Sequence, residues 1–182
     1  HEQDSLLVKM SASTVDRLLD HEKAVRLMQA RWQPKHPLLY QLVPTKRSSE
    51  VDRTVSGFIQ TDGVEHCGVS AQGLFACTID TIDPASYWWD GVAVMGLGQR
   101  ATERALDEQR QRSPVRWHEL HPDNGTSFLN WHLWRYAQRT KLELSRSRPY
   151  HKNDNCFVEQ SNRTRVRDYG GHVRYATPRE RG

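Results

Sequence analysis

Cysteine is scarce in this chain of 182 residues: Cys67, Cys77 and Cys156 are odd in number, widely spaced and form no C-x-x-C pair. That excludes a disulfide framework and a cysteine-built zinc site, and it fits a reducing cytoplasm. Long apolar runs are missing too. Hydrophobic residues make up 36% of the sequence, the mean hydropathy is −0.80, and no stretch approaches the roughly 18 residues a membrane span needs. No basic region followed by an apolar run marks a secretory leader, and the first residue is His1 rather than Met, which suggests the edge of a larger protein. The length suits one core-forming domain with a small appendage and leaves no room for a second full-sized domain.

What is present is positive charge, unevenly placed. The whole chain carries +4, yet residues 141–182 hold ten basic and five acidic side chains, so the remainder is nearly neutral. A basic third around a few isolated acids suits a phosphate-binding surface with a metal site.

Residues 11–31 read as one or two short helices, with Ser11 or Ser13 able to cap and Val15, Leu18, Leu19, Val25, Leu27 and Met28 at helical spacing. Small residues before a Thr-Val pair and Arg17 suit the recognition helix of a helix-turn-helix, where Arg17 would face phosphate or base. We therefore expect a partial helix-turn-helix segment over 1–35. Pro34, Pro37, Pro44 and the charged run Lys46–Arg53 make 36–56 read as a linker. From Gly57 onward the pattern changes. Strands are expected over 58–64, 74–82, 87–94, 115–120 and 142–145, and helices over 98–112, 127–139 and 155–168. Strand-strand-strand-helix-strand-helix-strand-helix is a mixed α/β order beginning with a meander.

Three acids fall at element boundaries: Asp62 at the first strand, Asp123 in a Pro-Asp-Asn-Gly turn after the fourth, and Glu159 one turn into the last helix. Sixty residues separate the first two and 35 the second two. Transfer at a phosphodiester needs charge neutralised on the attacking and the leaving oxygen. A pair of divalent ions about 3.5–4 Å apart does this, held through a few carboxylates. If the first and fourth strands are neighbours, Asp62 and Asp123 converge and the last helix can lower Glu159 onto the same cleft. Asp80 and Asp83 compete for the first position, but Asp83 suits the turn before Pro84 and both lie closer to Asp123 in sequence. Asp154 reads as a helix cap. Asn155 and Asn162 share the face of Glu159 and are candidates for DNA or water contacts. Lys152, Arg163 and Arg167 are candidates for DNA phosphates beside the site. His66 and Cys67, without a second pair, read as structural, and Trp117, Trp131 and Trp134 as packing residues.

The acids and their surroundings resemble the D,D-35-E triad of retroviral integrases and insertion-sequence transposases. The stretches Gly57–Gly68, Asp123–Asn130 and above all Ser145–Gln160 are similar to bacterial transposases with an integrase catalytic core, and the likeness covers roughly residues 11–175. It implies an RNase H-like fold over 57–182, C-terminally truncated, with a mixed five-stranded sheet flanked by helices. It further implies two Mg²⁺ or Mn²⁺ ions on Asp62, Asp123 and Glu159, and DNA cleavage followed by strand transfer. The implied partners are transposon ends and target DNA, bound by a homo-oligomer, with no membrane involved. A DNA-binding remnant that has lost its chemistry, or a nuclease that only hydrolyses, are the alternatives.

Overall fold

The computed structural model describes residues 37–149 and 151–176 together with Ser11, Thr14 and Leu19, the side chain of Lys152 excepted. The chain divides at 35/36 into two units. In the first, Thr14 and Leu19 are helical and Ser11 Oγ accepts from the Thr14 amide at 3.3 Å, as a cap does. Arg17 and the rest of the expected helix-turn-helix lie outside the described residues.

The second unit is organised by a five-stranded sheet. Strands β1 (Phe58–Glu65), β2 (Ala76–Ile82) and β3 (Trp89–Met95) form an antiparallel meander, and β4 (Glu119–Pro122) and β5 (Glu143–Leu144) add in parallel on the other side of β1. The order β3-β2-β1-β4-β5 places β1 at the centre. Helices α2 (Gln99–Arg112) and α3 (Trp131–Thr140) separate β3, β4 and β5 in the chain.

Alternation along β1 sorts its residues by face. Ile59 joins Cys77, Ile79, Ala105, Leu106, Leu133 and Tyr136 in the main apolar cluster. Gln60 and Asp62 point to the other face, toward helix α4 (Cys156–Ser161). Helix α3 begins where Asn130 Oδ1 accepts from the amides of His132 and Leu133, and ends at Lys141, which takes the left-handed conformation (φ 57°). Gln109 of α2 donates from its buried side chain to the carbonyls of Ile79 and Asp90, tying α2 to the sheet. Gly63, unusual in mid-strand, has a packing reason. A Cβ there would sit 3.0 Å from Leu97 Cδ2, so any larger residue would push the leucine tip aside.

The expected linker 36–56 is not a bare connector. Helix α1 (Pro37–Leu42) buries Leu39, and Val43 follows it into the core; each such burial stabilises by about 1.5–3 kcal/mol. Thr45 then forms a parallel bridge with Arg146 beyond the sheet edge. The fourth strand also lies later than its sequence pattern suggested, at Glu119–Pro122, with Trp117 buried before it.

The last helix is not uniform. After α4 the chain passes through a π-helical segment, Asn162–Arg167, into a final turn α5 (Asp168–Gly170). Residues 174 and 175 then return to the sheet. The Ala76 amide donates to the Tyr175 carbonyl, and the Tyr175 amide to that of His66.

Candidate active site

The strand register puts Thr61 of β1 opposite Pro122 of β4. Asp123, the next residue, is therefore level with Asp62 on a neighbouring strand, about 4.8 Å away in backbone. Asp123 and Glu159 line one open cleft of about 210 Å³ with Asn124, Ser147, Arg148, His151 and Asn155. The charges of Asp123 and Glu159 are both felt at Asp62. So the structure brings the three acids to one edge of the sheet, where they repel.

Burial and that repulsion act in the same direction on Asp62. Burial, then the Asp123 charge and more weakly that of Glu159, push the Asp62 carboxyl up to about 6. The Gly63 amide and Asn162 Nδ2, each donating to a carboxylate oxygen at 2.7 Å, act against the shift. Burial also raises Asp123, opposed by the Gly125 amide at 2.8 Å on Oδ1. Crowded carboxylates in a desolvated cleft, each with donors already in place, have the oxygen chemistry a hard divalent cation takes. Among the described residues, however, no three His, Cys, Asp or Glu side chains are close enough to share an ion.

Neighbouring residues fix each acid. Gln60, fully buried and two residues before Asp62, accepts from the amides of Phe157 and Val158 and donates to the Asp154 carbonyl. It thereby caps α4 from the strand and sets Glu159 against Asp62. On the Asp123 side, Arg146 reaches Asn124 Oδ1 and the carbonyls of Val43 and Tyr40, while Asn124 donates to the Ser147 carbonyl. The turn carrying Asp123 is held on three sides. His121, buried two residues earlier, has Nδ1 2.7 Å from Ser145 Oγ, and burial pushes its pKa down to about 4.

The remaining candidates sort clearly. Asn162 contacts Asp62 directly. Asn155 is buried, lines the cleft and sits 3.4 Å from the Thr61 carbonyl, between α4 and β1 and away from solvent. The Arg167 guanidinium is committed to the Glu65 carbonyl at 2.9 Å, while Arg163 is exposed. The Lys152 side chain, like Arg17, is outside the described residues. Asp154, expected as a cap, instead takes the Arg148 guanidinium on both oxygens, which pulls it down to about 2. Asp83 makes the expected turn, accepting from Ser86 and from the Ala85 amide. Asp80 lies directly across the sheet from Asp62, fully buried, with burial raising its pKa well above the carboxylate range. Sequence reasoning missed Gln60 and Arg146. A polar residue two before an acid on one strand face was the only available sign of the first.

No family model matches the sequence. The chain is 31% identical over 169 residues to the uncharacterized protein y4rM of Sinorhizobium fredii, an alignment covering 92% of this chain and 48% of that protein. The chain thus spans about half the length of the curated relative it matches. Among solved structures it superposes on a chain of the simian T-cell lymphotropic virus intasome bound to the PP2A regulatory subunit B56 gamma. The TM-score is 0.53 at 13% identity, covering 65% of this chain and 40% of that one. It also superposes on the catalytic core domain of BIV integrase with a TM-score of 0.50 at 17% identity, covering 64% and 72%. The mixed five-stranded sheet flanked by helices is therefore the RNase H-like fold of retroviral integrase catalytic cores.

Proposed function

We propose that this chain is the catalytic core of an insertion-sequence transposase that cuts DNA and joins the freed end to a target, with Asp62, Asp123 and Glu159 as its catalytic acids. The carrying observation is their placement on β1, after β4 and on α4 of an integrase-type sheet, close enough for two charges to raise the third. Bound at these carboxylates, two Mg²⁺ or Mn²⁺ ions would neutralise charge on the attacking and leaving oxygens of a phosphodiester. The chain's own residues do the rest. Gln60 and Arg146 hold the two sides of the cleft in register, Asn162 and the Gly63 and Gly125 amides orient carboxylate oxygens, and Arg163 is available for backbone phosphate. Lys152 and Arg17 complete the DNA-contacting set we propose from sequence, whereas Asn155, turned to the Thr61 carbonyl, and Arg167, held by the Glu65 carbonyl, brace the cleft instead. The partners are transposon ends and target DNA in a homo-oligomeric complex, in the bacterial cytoplasm.

A second reading, a DNA-binding remnant without chemistry, is favoured by one observation: among the described residues the acids are not gathered tightly enough to share an ion. Plasmid nicking with Mn²⁺ or Mg²⁺ decides between them. We expect nicking that Asp123→Asn and Glu159→Gln each abolish; nicking that survives Asp123→Asn would reject the triad. Joining of a pre-processed oligonucleotide end to a plasmid separates strand transfer from hydrolysis, and water-only products would reject the transposase reading.

A further inference from the structure

A second cavity of about 380 Å³ opens on the same sheet face as Asp62, between β2, β3 and the π-helical segment. This is the size of a small-molecule site. Its walls include His66, Thr78, Trp89, Arg165, Tyr169 and Tyr175. Three features mark it as built.

The first is an unpaired polar atom. His66 is only 6% exposed; its Nε2 lies 2.8 Å from Thr78 Oγ1, but its Nδ1 is buried without a partner. That nitrogen lies beside Gly170, which like His66 lines the cavity: a Cβ built there would sit 4.0 Å from it. A buried ring nitrogen with nothing to bond is costly unless a ligand completes it.

The second is the arrangement of rings. Trp89 is held by its Nε1 donating to Asp80 Oδ2 at 3.2 Å, and a Cβ on Gly91 would meet that indole at 2.9 Å. Glycine at 91 lets the ring lie down against the strand. The Arg165 guanidinium stands 5.7 Å over the indole, and Tyr175 meets His66 edge-on. Tyr169 is 87% exposed at the mouth, where a bare aromatic face has no packing role.

The third is the backbone. Arg165 and Val166 are presented by the π-helical segment, a rare geometry that concentrates at functional sites.

We infer that this cavity takes a nucleobase from an unpaired end of the DNA substrate, stacked on the bare ring of Tyr169 beside Tyr175, hydrogen-bonded at His66 Nδ1, with its phosphate against the Arg165 guanidinium that covers Trp89. Aromatic faces accept any base, and a guanidinium beside them suits the attached phosphate. The location agrees. Val166 is seven residues beyond Glu159, through the end of α4 and into the π-helical segment, a rise of at most about 10 Å, the span of about three nucleotides at 3.4 Å each. A strand whose phosphodiester lies at the acids can place a nearby unpaired base in the cavity. This rests on the proposed action on DNA, but not on the cleavage chemistry.

The test uses the full chain without divalent metal, at fixed salt, and a short duplex ending in an unpaired 2-aminopurine beside its fully paired counterpart. We expect fluorescence of the unpaired probe to change on binding, and the unpaired end to bind more tightly. Tyr169→Ala and His66→Gln should each weaken the unpaired duplex by about tenfold, roughly 1.4 kcal/mol, and leave the paired one unchanged. Asp62→Asn should keep the fluorescence change. Equal affinity of Tyr169→Ala and wild type for the unpaired duplex, or a probe that stays fluorescent as in free DNA, would overturn the inference. Base capture by a chain that never nicks DNA would uphold this site and reject the proposed function instead.

Discussion

Asn162 Nδ2 donates to Asp62 Oδ2 at 2.7 Å, joining the last helix to the central strand through the acid itself. The bond favours the charged carboxylate against the burial and like charges that oppose it. Asn162→Ala should therefore raise the Asp62 pKa beyond its present value of about 6 and weaken divalent-metal use. Outer-shell partners of this kind are worth about 10–100-fold in metal affinity or activity. A Mn²⁺ titration of plasmid nicking checks it: half-saturation should move to higher metal while activity at saturation falls less. Unchanged half-saturation would remove Asn162 from the site.

Gln60 makes a stronger structural claim. Its loss removes the acceptor of two amides at the start of α4 and one donor to the Asp154 carbonyl in a buried place, each worth about 1–3 kcal/mol. Gln60→Leu should lower unfolding free energy in urea by about 2–4 kcal/mol, less than the sum because the helix end can fray toward water. Amide exchange at Phe157 and Val158 should rise more than at Leu133 in α3. If protection falls evenly across the chain, Gln60 is not the link between strand and helix.

Asp62 and Asp80 are direct cross-strand partners and both buried, yet they are expected to differ in function. Asp80 is the deeper, its carboxyl pushed well up by burial, with Oδ2 bonded to Trp89 and Oδ1 unpartnered. Asp80→Asn keeps the shape and removes the cost of an ionisable group, so it should leave stability equal or higher and nicking intact. Asp62→Asn should abolish nicking. Loss of nicking in Asp80→Asn with stability retained would show that the first acid was chosen wrongly.

This pair shows where sequence was sufficient and where it was not. Alternating apolar residues marked β1 and β2, and the same pattern put Asp62 on the first strand, Asp123 after the fourth and Glu159 on the last helix, where the structure has them; their catalytic role belongs to the proposal. Leu39 and Val43 were hidden by nearby prolines and charges, although burial in the finished core outweighs those local signals. Glu119–Pro122 is short and buried, so it lacks the alternation by which a longer strand is recognised. The π-helical segment has no composition of its own, and the His66 cavity exists only because Arg174 and Tyr175 return to the sheet from more than 100 residues away. Residues that act through tertiary closure leave little periodic trace.

The site also predicts opposing pH dependences from two neighbours. The Asp62 carboxyl ionises near 3.9 when unfolded but at about 6 when folded. The unfolded chain therefore loses its proton first, and this residue's contribution to stability falls as pH rises from about 4 to 6. Relative to Asp62→Asn, wild type should lose about 3 kcal/mol across that window in metal-free buffer. His121 has the opposite sign. Its ring protonates near 6.5 when unfolded but near 4 when folded. The neutral ring's contribution is complete above about 6.5 and is lost as pH falls toward 4, again by about 3 kcal/mol. Urea unfolding of wild type, Asp62→Asn and His121→Gln at several pH values isolates each group by difference, cancelling Asp80, Asp123 and Asp154. The gain from Asp62→Asn should grow with pH, and so should the cost of His121→Gln. Saturating Mg²⁺ should shrink the first effect above pH 6, because a cation offsets both the burial of the charge and the repulsion that raise Asp62, and leave the second alone. A gain from Asp62→Asn that is flat with pH would mean the three acids do not share one electrostatic site.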